Sequence, residues 1–305
     1  MNRKILMLIV SFLLSAGTVS AASYKDGFAA YSRGDYPRAL KILQPLAASG
    51  NMYAQHGLGV MYEKGQGVKQ NYEKAFNWYY SAAEQRLMPA QNNIGSLYGK
   101  GLGVKQSYIE AAKWYQLAAE HGLPIAQSNL AVAYEKGQGV EQNYALAHKW
   151  HLLAAQKNWA DSQNNLGWMY GNGQGVTKDY GIAIQWYRLA AEQGNSTAQV
   201  NLGGTYDKGL GVLQSYSEAA KWYRLAAKQA DPKGQNNLGT MYEQGQGVSQ
   251  DHVRAYMWVY LSAQSGMADA IKNIEALDKV IASNQKHKAI EMAEQCSKNK
   301  FKNCD

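Results

Sequence analysis

An all-α solenoid of stacked antiparallel helix pairs is the fold this sequence predicts, and three observations predict it. The glycine of a Gly-x-Gly-Val turn recurs at Gly65, Gly101, Gly137, Gly173, Gly209 and Gly245, each 36 residues after the last. A tryptophan follows each turn at a fixed distance (Trp78, Trp114, Trp150, Trp186, Trp222 and Trp258), with an alanine three residues before it (Ala75, Ala111, Ala147, Ala183, Ala219 and Ala255). Between turn and alanine stands a residue able to cap a helix: Asn71, Ser107, Asn143, Asp179, Ser215 or Asp251. Composition agrees. With 46% hydrophobic and 18% charged residues over 305 positions, the chain can build a sizeable core, which excludes disordered, collagen-like and coiled-coil readings. Two cysteines exclude a disulfide-dense scaffold and any multi-cysteine zinc or iron–sulfur site.

The elements follow in order. Residues 1–21 read as a signal peptide: Arg3 and Lys4, an apolar run from Ile5 to Leu14, then small residues through Ala21. That run is shorter than the roughly 18 residues needed to span a bilayer, so no transmembrane segment is expected after cleavage. Residues 22–50 form a degenerate N-terminal capping repeat, with Ala39 in the alanine register and Asp35 in the cap register but Ile42 where the tryptophan should stand. Residues 51–266 hold six full repeats. In each, a first helix such as Tyr53 to Lys64 places Ala54, Leu58, Met61 and Tyr62 on one face, and Gly59 allows a close approach from a neighbouring backbone. The Gly-x-Gly-Val turn ends this helix A. The cap residue starts helix B, which sets Ala75, Trp78, Ala82 and Ala83 against helix A. Ser107 with Glu110 and Ser215 with Glu218 have capping-box spacing. Residues 267–305 supply C-terminal capping helices, in which Cys296 and Cys304 are expected to form a local disulfide in an oxidising compartment.

The unit Ala-x-x-x-Leu-Gly-x-x-Tyr-x-x-Gly-x-Gly-Val, a cap residue, then Ala-x-x-Trp-x-x-x-Ala-Ala resembles the Sel-1-like repeat, a relative of the tetratricopeptide repeat. One copy reads Ala198, Leu202, Gly203, Tyr206, Gly209, Gly211 and Val212, continuing from Ala219 to Ala227. Departures are Gly57 for the asparagine, Ser162 and Gly234 for the opening alanine, and His252 for the tyrosine after the cap. The resemblance implies a right-handed superhelix whose concave side is lined by helix A, a non-enzymatic adaptor for protein complexes, and an exported, periplasmic or secreted, bacterial protein.

Residues present in every unit serve every unit, so recognition is sought at positions that vary. Gln55, Gln91, Gln127, Gln163, Gln199 and Gln235 form one invariant amide ladder, and Asn93, Asn129, Asn165, Asn201, Asn237 and Asn273 another. Both are read as ties between neighbouring elements. The variable stripe of helix A gives the binding candidates His56, Glu63, Asn92, Ser96, Glu135, Asn164, Trp168, Asp207, Asn236, Thr240 and Glu243. Trp168 is the one large aromatic in its register and a candidate anchor. Glu63, Glu135, Asp207 and Glu243 point to a protein or peptide partner with a basic segment.

The formal charge of +8 is diffuse, and no nucleic acid partner is expected. Catalytic sets are incomplete. Ser283 and Lys286 match Ser-x-x-Lys, but the companion motifs of penicillin-interacting enzymes are absent. His148 and His151 could supply two metal ligands without a third group to complete a site, and the glycine turns lack the lysine and hydroxyl of a phosphate loop. No enzyme, cofactor or metal is therefore expected. The alternatives are a peptidoglycan- or β-lactam-active enzyme, by analogy with cysteine-rich relatives of the repeat, and a structural factor that binds the sacculus.

Overall fold

The computed structural model describes residues 23–302 and 304; the expected signal peptide lies outside the described residues. Among these residues are sixteen α-helices and no strand. The chain divides into two compact units, one holding the described residues up to Ala126 together with 138–140, the other residues 127–137 and everything from 141 on.

In the first unit α1 (Tyr24–Ser32) and α2 (Tyr36–Ala48) precede the helix pairs α3 (Met52–Lys64) with α4 (Tyr72–Glu84) and α5 (Met88–Lys100) with α6 (Tyr108–Glu120). The division falls within α7 (Pro124–Lys136). The second unit continues with α8 (Tyr144–Ala155), then the pairs α9 (Ala160–Asn172) with α10 (Tyr180–Glu192), α11 (Ser196–Lys208) with α12 (Tyr216–Ala227), and α13 (Pro232–Gln244) with α14 (His252–Gln264). It closes with α15 (Ala268–Leu277) and α16 (Ser283–Lys298), both packed on α14. Successive helices pack on one another from α1 to α6 in the first unit and from α8 to α15 in the second, so both are stretches of α-solenoid.

Local chemistry sets these boundaries. Asn71, Ser107, Asn143, Asp179, Ser215 and Asp251 each accept, through the side chain, the amide three residues on, relieving one of the donors left free in a first helical turn. The reciprocal half of the expected capping box is absent: the Glu110 carboxylate turns outward to Lys113 Nζ at 2.7 Å instead of back to Ser107. Each helix A stops where its turn glycine enters the left-handed region, as at Gly65 with φ of 67°. The second turn glycine is needed for contact. A Cβ on Gly103 would lie 2.4 Å from the Tyr72 carbonyl carbon at the start of the preceding helix B.

Gly59 allows a close approach, but of a ring: its Cβ would sit 2.4 Å from the Tyr79 ring of its own repeat's helix B. Gly95 with Tyr115, Gly167 with Tyr187 and Gly203 with Tyr223 repeat this pairing. Where the glycine is Ala131, the helix B residue in the tyrosine register is His151, and in the last repeat it is Val259.

The core is small and layered. Ala183, Ala190, Ala191, Ala198 and Leu202 pack with Trp222 in one layer, and Leu238, Ala255, Trp258, Ala289 and Ala293 share another with Cys296 and Cys304. Burial at about 25 cal/mol per Å2 of apolar surface is what joins neighbouring pairs. Cys296 and Cys304 are disulfide-bonded and buried, which ties Cys304 to α16.

Candidate functional site

The glutamine ladder is a seam. Near the end of helix B the last carbonyls lack the amide four residues on; each takes the amide three residues on, as Ala47 O does from Gly50 N, and the next helix A supplies a second donor. Gln55 Nε2 donates to Ala47 O at 3.2 Å, Gln91 to Ala83 O at 3.4 Å, Gln163 to Ala155 O at 3.3 Å, Gln199 to Ala191 O at 3.1 Å and Gln235 to Ala227 O at 3.4 Å. A second glutamine extends it: Gln85 donates to Gln55 Oε1, Gln193 to Gln163 Oε1 and Gln229 to Gln199 Oε1. A further glutamine closes the turn, as Gln70 Nε2 donates to Glu63 O at 2.8 Å.

The asparagine ladder ties one helix A to the next. Asn201 Nδ2 donates to Asn164 Oδ1 and Asn273 Nδ2 to Asn236 Oδ1, both at 2.9 Å, while Asn93 Nδ2 meets His56 Nε2 at 3.3 Å. Three of the expected groove residues thereby change role. Asn92, Asn164 and Asn236 are buried, not exposed on an open stripe, because the adjacent helix A covers that edge of the face. Asn164 and Asn236 spend their carbonyl oxygens on the neighbouring repeat. His56 is half-buried against the Tyr79 ring, and burial pushes its pKa down to about 4.

The carboxylates of the stripe are also engaged. The Tyr79 hydroxyl donates to Glu63 Oε2 at 2.6 Å and also meets Asn93; burial first, then the Glu63 carboxylate, hold its pKa well above the phenol range. Asp207 accepts from Tyr223 in the same way, Asn237 donates to that hydroxyl, and burial followed by the Asp207 charge raises the phenol. In the third repeat the partner is His151, with no exposed surface: its Nε2 lies 3.4 Å from Glu135 Oε1 and Nδ1 lies 3.0 Å from Ser162 Oγ. Ser162 and His151 have no exposed surface while Glu135 is partly exposed, so no substrate carbonyl reaches the hydroxyl. His148 instead meets the Tyr170 hydroxyl at 3.2 Å, and burial, then His151, lower its pKa. No cluster of three metal-type side chains occurs among the described residues.

The remaining candidates stand as follows. Ser96 hydrogen-bonds the Tyr115 hydroxyl, whose pKa burial pushes up to about 12. Thr240 Oγ1 returns to Asn236 O at 3.1 Å. Glu243 is half-buried with Val259, which offers no hydroxyl, in the tyrosine register. Trp168 is 42% exposed.

An open groove lies within the second unit, on helices α9, α11 and α13. It encloses about 570 Å3 and is lined by Gly171, Val200, Asn201, Gly204, Asp207, Lys208, Tyr223, Lys233, Asn237 and Thr240 among others. A second hollow of about 390 Å3 at the starts of α11 and α13 shares Val200, Asn201 and Lys233 with it. Of the sequence candidates this groove brings together Asp207 and Thr240; Trp168 is not in its wall. The tyrosine register and Lys233 were missed. The joint departure to Ala131 and His151 in one repeat was the signal that the helix A glycine and the helix B ring form a pair.

Comparison with known proteins agrees with the repeat period. The Sel1 repeat family model matches six consecutive segments, 53–87, 89–123, 124–159, 160–195, 196–231 and 232–267. A Sel1 repeat protein from Oxalobacter formigenes is 32% identical over 78% of this chain and 96% of its own, with a TM-score of 0.73. A protective antigen present in uropathogenic Escherichia coli strains, displaying an SLR fold, is 30% identical over 98% of this chain and 72% of its own, with a TM-score of 0.60. An immunity protein from Pseudomonas aeruginosa, at 20% identity and a TM-score of 0.50, shares the fold alone. No curated protein sequence matches the chain.

Proposed function

Because the chain belongs to the Sel1 repeat family, we propose that it is a non-enzymatic scaffold that holds a protein or peptide partner on the helix A face of its repeats. The Sel1 repeat fold is a protein–protein interaction scaffold type, and one observation carries the placement of the partner. Groove positions vary between repeats while the amides and rings behind them are tied into the frame. Stacked repeats give an extended binding surface that needs no deep pocket. The ends, residues 22–50 and 267–305, act as caps that shield the terminal apolar faces. Glu63, Glu135 and Asp207 keep their negative charge, and a tyrosine or histidine of helix B stands against each.

The setting proposed is the bacterial envelope, periplasmic first and secreted second. The disulfide is compatible with an oxidising compartment, and a similar chain is described as a protective antigen of uropathogenic Escherichia coli. No described helix is long and apolar enough to cross a membrane.

Photo-crosslinking in the native cell tests the face. A light-activated residue replaces Val200 or Trp168 on helix A in one strain and Lys221 on helix B in another. A defined protein adduct from the helix A probes alone is the expected result. The same adducts from Lys221, or none from helix A, would overturn the assignment.

A further inference from the structure

We infer that the groove of the fifth and sixth repeats takes an acidic, extended peptide segment, with Lys233 meeting its carboxylate and Val200 and Gly204 seating an adjacent apolar side chain. The inference rests on the scaffold reading above and names the chemistry of its partner.

An acidic partner follows from which charges are free to pair directly. Both carboxylates of the lining keep their charge, but their oxygens are turned to donors of the frame: Asp207 faces the Tyr223 hydroxyl, and Asp231 accepts from Ser196 Oγ at 2.9 Å and from Gly234 N at 3.0 Å. The two lysines, Lys208 and Lys233, make no ion pair among the described residues and line the groove with exposed side chains. A lysine at the end of helix A also stands at Lys64, Lys100 and Lys136, where it complements the helix dipole, so Lys208 alone would signify little. Lys233 is different. Its register is filled elsewhere by Tyr53, Pro89, Ile125, Asp161 and Thr197, so nothing in the repeat frame requires a cation there.

A broken rung lies beside it. The asparagine one repeat and one residue on from each helix A stripe position donates back to that position at His56, Asn164 and Asn236. For Asn237 the corresponding residue is Val200, which has no acceptor, and the Asn237 amide keeps only the Tyr223 hydroxyl. A donor is left in the groove wall for a peptide carbonyl or carboxylate. Gly204 provides the room. A Cβ there would meet only the Tyr223 hydroxyl at 3.6 Å, whereas the register holds Val60, Ser96, Val132, Trp168 and Thr240 in other repeats.

An array of random octapeptides, probed with the full mature chain, tests this directly. Peptides bound by the wild type should be enriched in Asp and Glu by at least about threefold over the array, with the preference reversed toward Lys and Arg in K233E. The outer-face variant K221E, folded by circular dichroism, should select as the wild type does. In G204W, which fills the seat, binding of every peptide class should fall by about tenfold or more. An acidic preference undiminished in K233E, or a basic or neutral preference in the wild type, would overturn the inference and leave the scaffold reading standing. No bound peptide of any class would overturn the inference together with the peptide form of that reading.

Discussion

The joint between the first and second repeats and the joint between the fifth and sixth share one relay and use it differently. At the first, Glu63, the Tyr79 hydroxyl and Asn93 are connected, and Asn93 is held a second time by His56. At the other, Asp207, Tyr223 and Asn237 are connected in the same order, but Val200 stands in the histidine's place and Gly204 lies one turn along. One joint is closed by a hydrogen bond, the other opens into a groove. Identical frame residues therefore permit different surfaces, because the frame is satisfied through helix B while the stripe position decides what faces outward.

The largest expected effect tests whether the two frames are equal. Gly59→Ala and Gly203→Ala each drive a Cβ into a tyrosine ring, at 2.4 and 2.7 Å, and should lower stability by about 1–3 kcal/mol in urea melts. Gly204→Ala, one residue along the same helix, makes only an ordinary contact with the Tyr223 hydroxyl at 3.6 Å and should raise it by about 0.5–1 kcal/mol. Equal losses at both rings, with a gain at Gly204, sharpen the comparison; a loss at Gly204 breaks it.

Acid should separate the joints next. Burial favours neutral His56 in the fold, with a pKa of about 4, so as pH falls below about 6.5 the unfolded chain takes up the proton first. Stability contributed by the neutral ring is present above that point, is lost as pH falls toward 4, and changes no further below it. On the order of 2 kcal/mol should disappear between pH 7 and pH 5 in the wild type relative to H56N, read as the difference in their melting curves. The same acid shift in H56N would remove His56 as the cause.

The smallest effect converts one joint into the other. Val200→Asn offers Asn237 the acceptor it lacks and should stabilise by about 0.5–1 kcal/mol while weakening ligand capture in the groove. A stabilised variant that binds unchanged would show that the open rung is not where recognition occurs.

Much of this was legible in the residues. Cap residues and turn glycines act within their own turn, so Asn71 and Gly65 could be placed from local chemistry. The invariant glutamines and asparagines were readable as ties because every unit needs them. What failed was exposure on the helix A stripe. Helical spacing tells which residues share a face, but Asn164 and Asn236 are covered by the next helix A, a contact across 37 residues that depends on how closely the pairs approach. Glu63 and Asp207 have partners that helical spacing does not reveal: each is answered by a tyrosine sixteen residues on, and only the antiparallel crossing of A on B brings the two together.

The glutamine seam makes the joints interchangeable. Since Gln91, Gln199 and Gln235 perform the same act on Ala83, Ala191 and Ala227, a 36-residue segment duplicated or lost in frame by unequal recombination would meet flanks already fitted to receive it. The number of repeats is then free to drift on a genetic timescale while each joint stays intact, and reach becomes something selection can adjust without redesigning the protein.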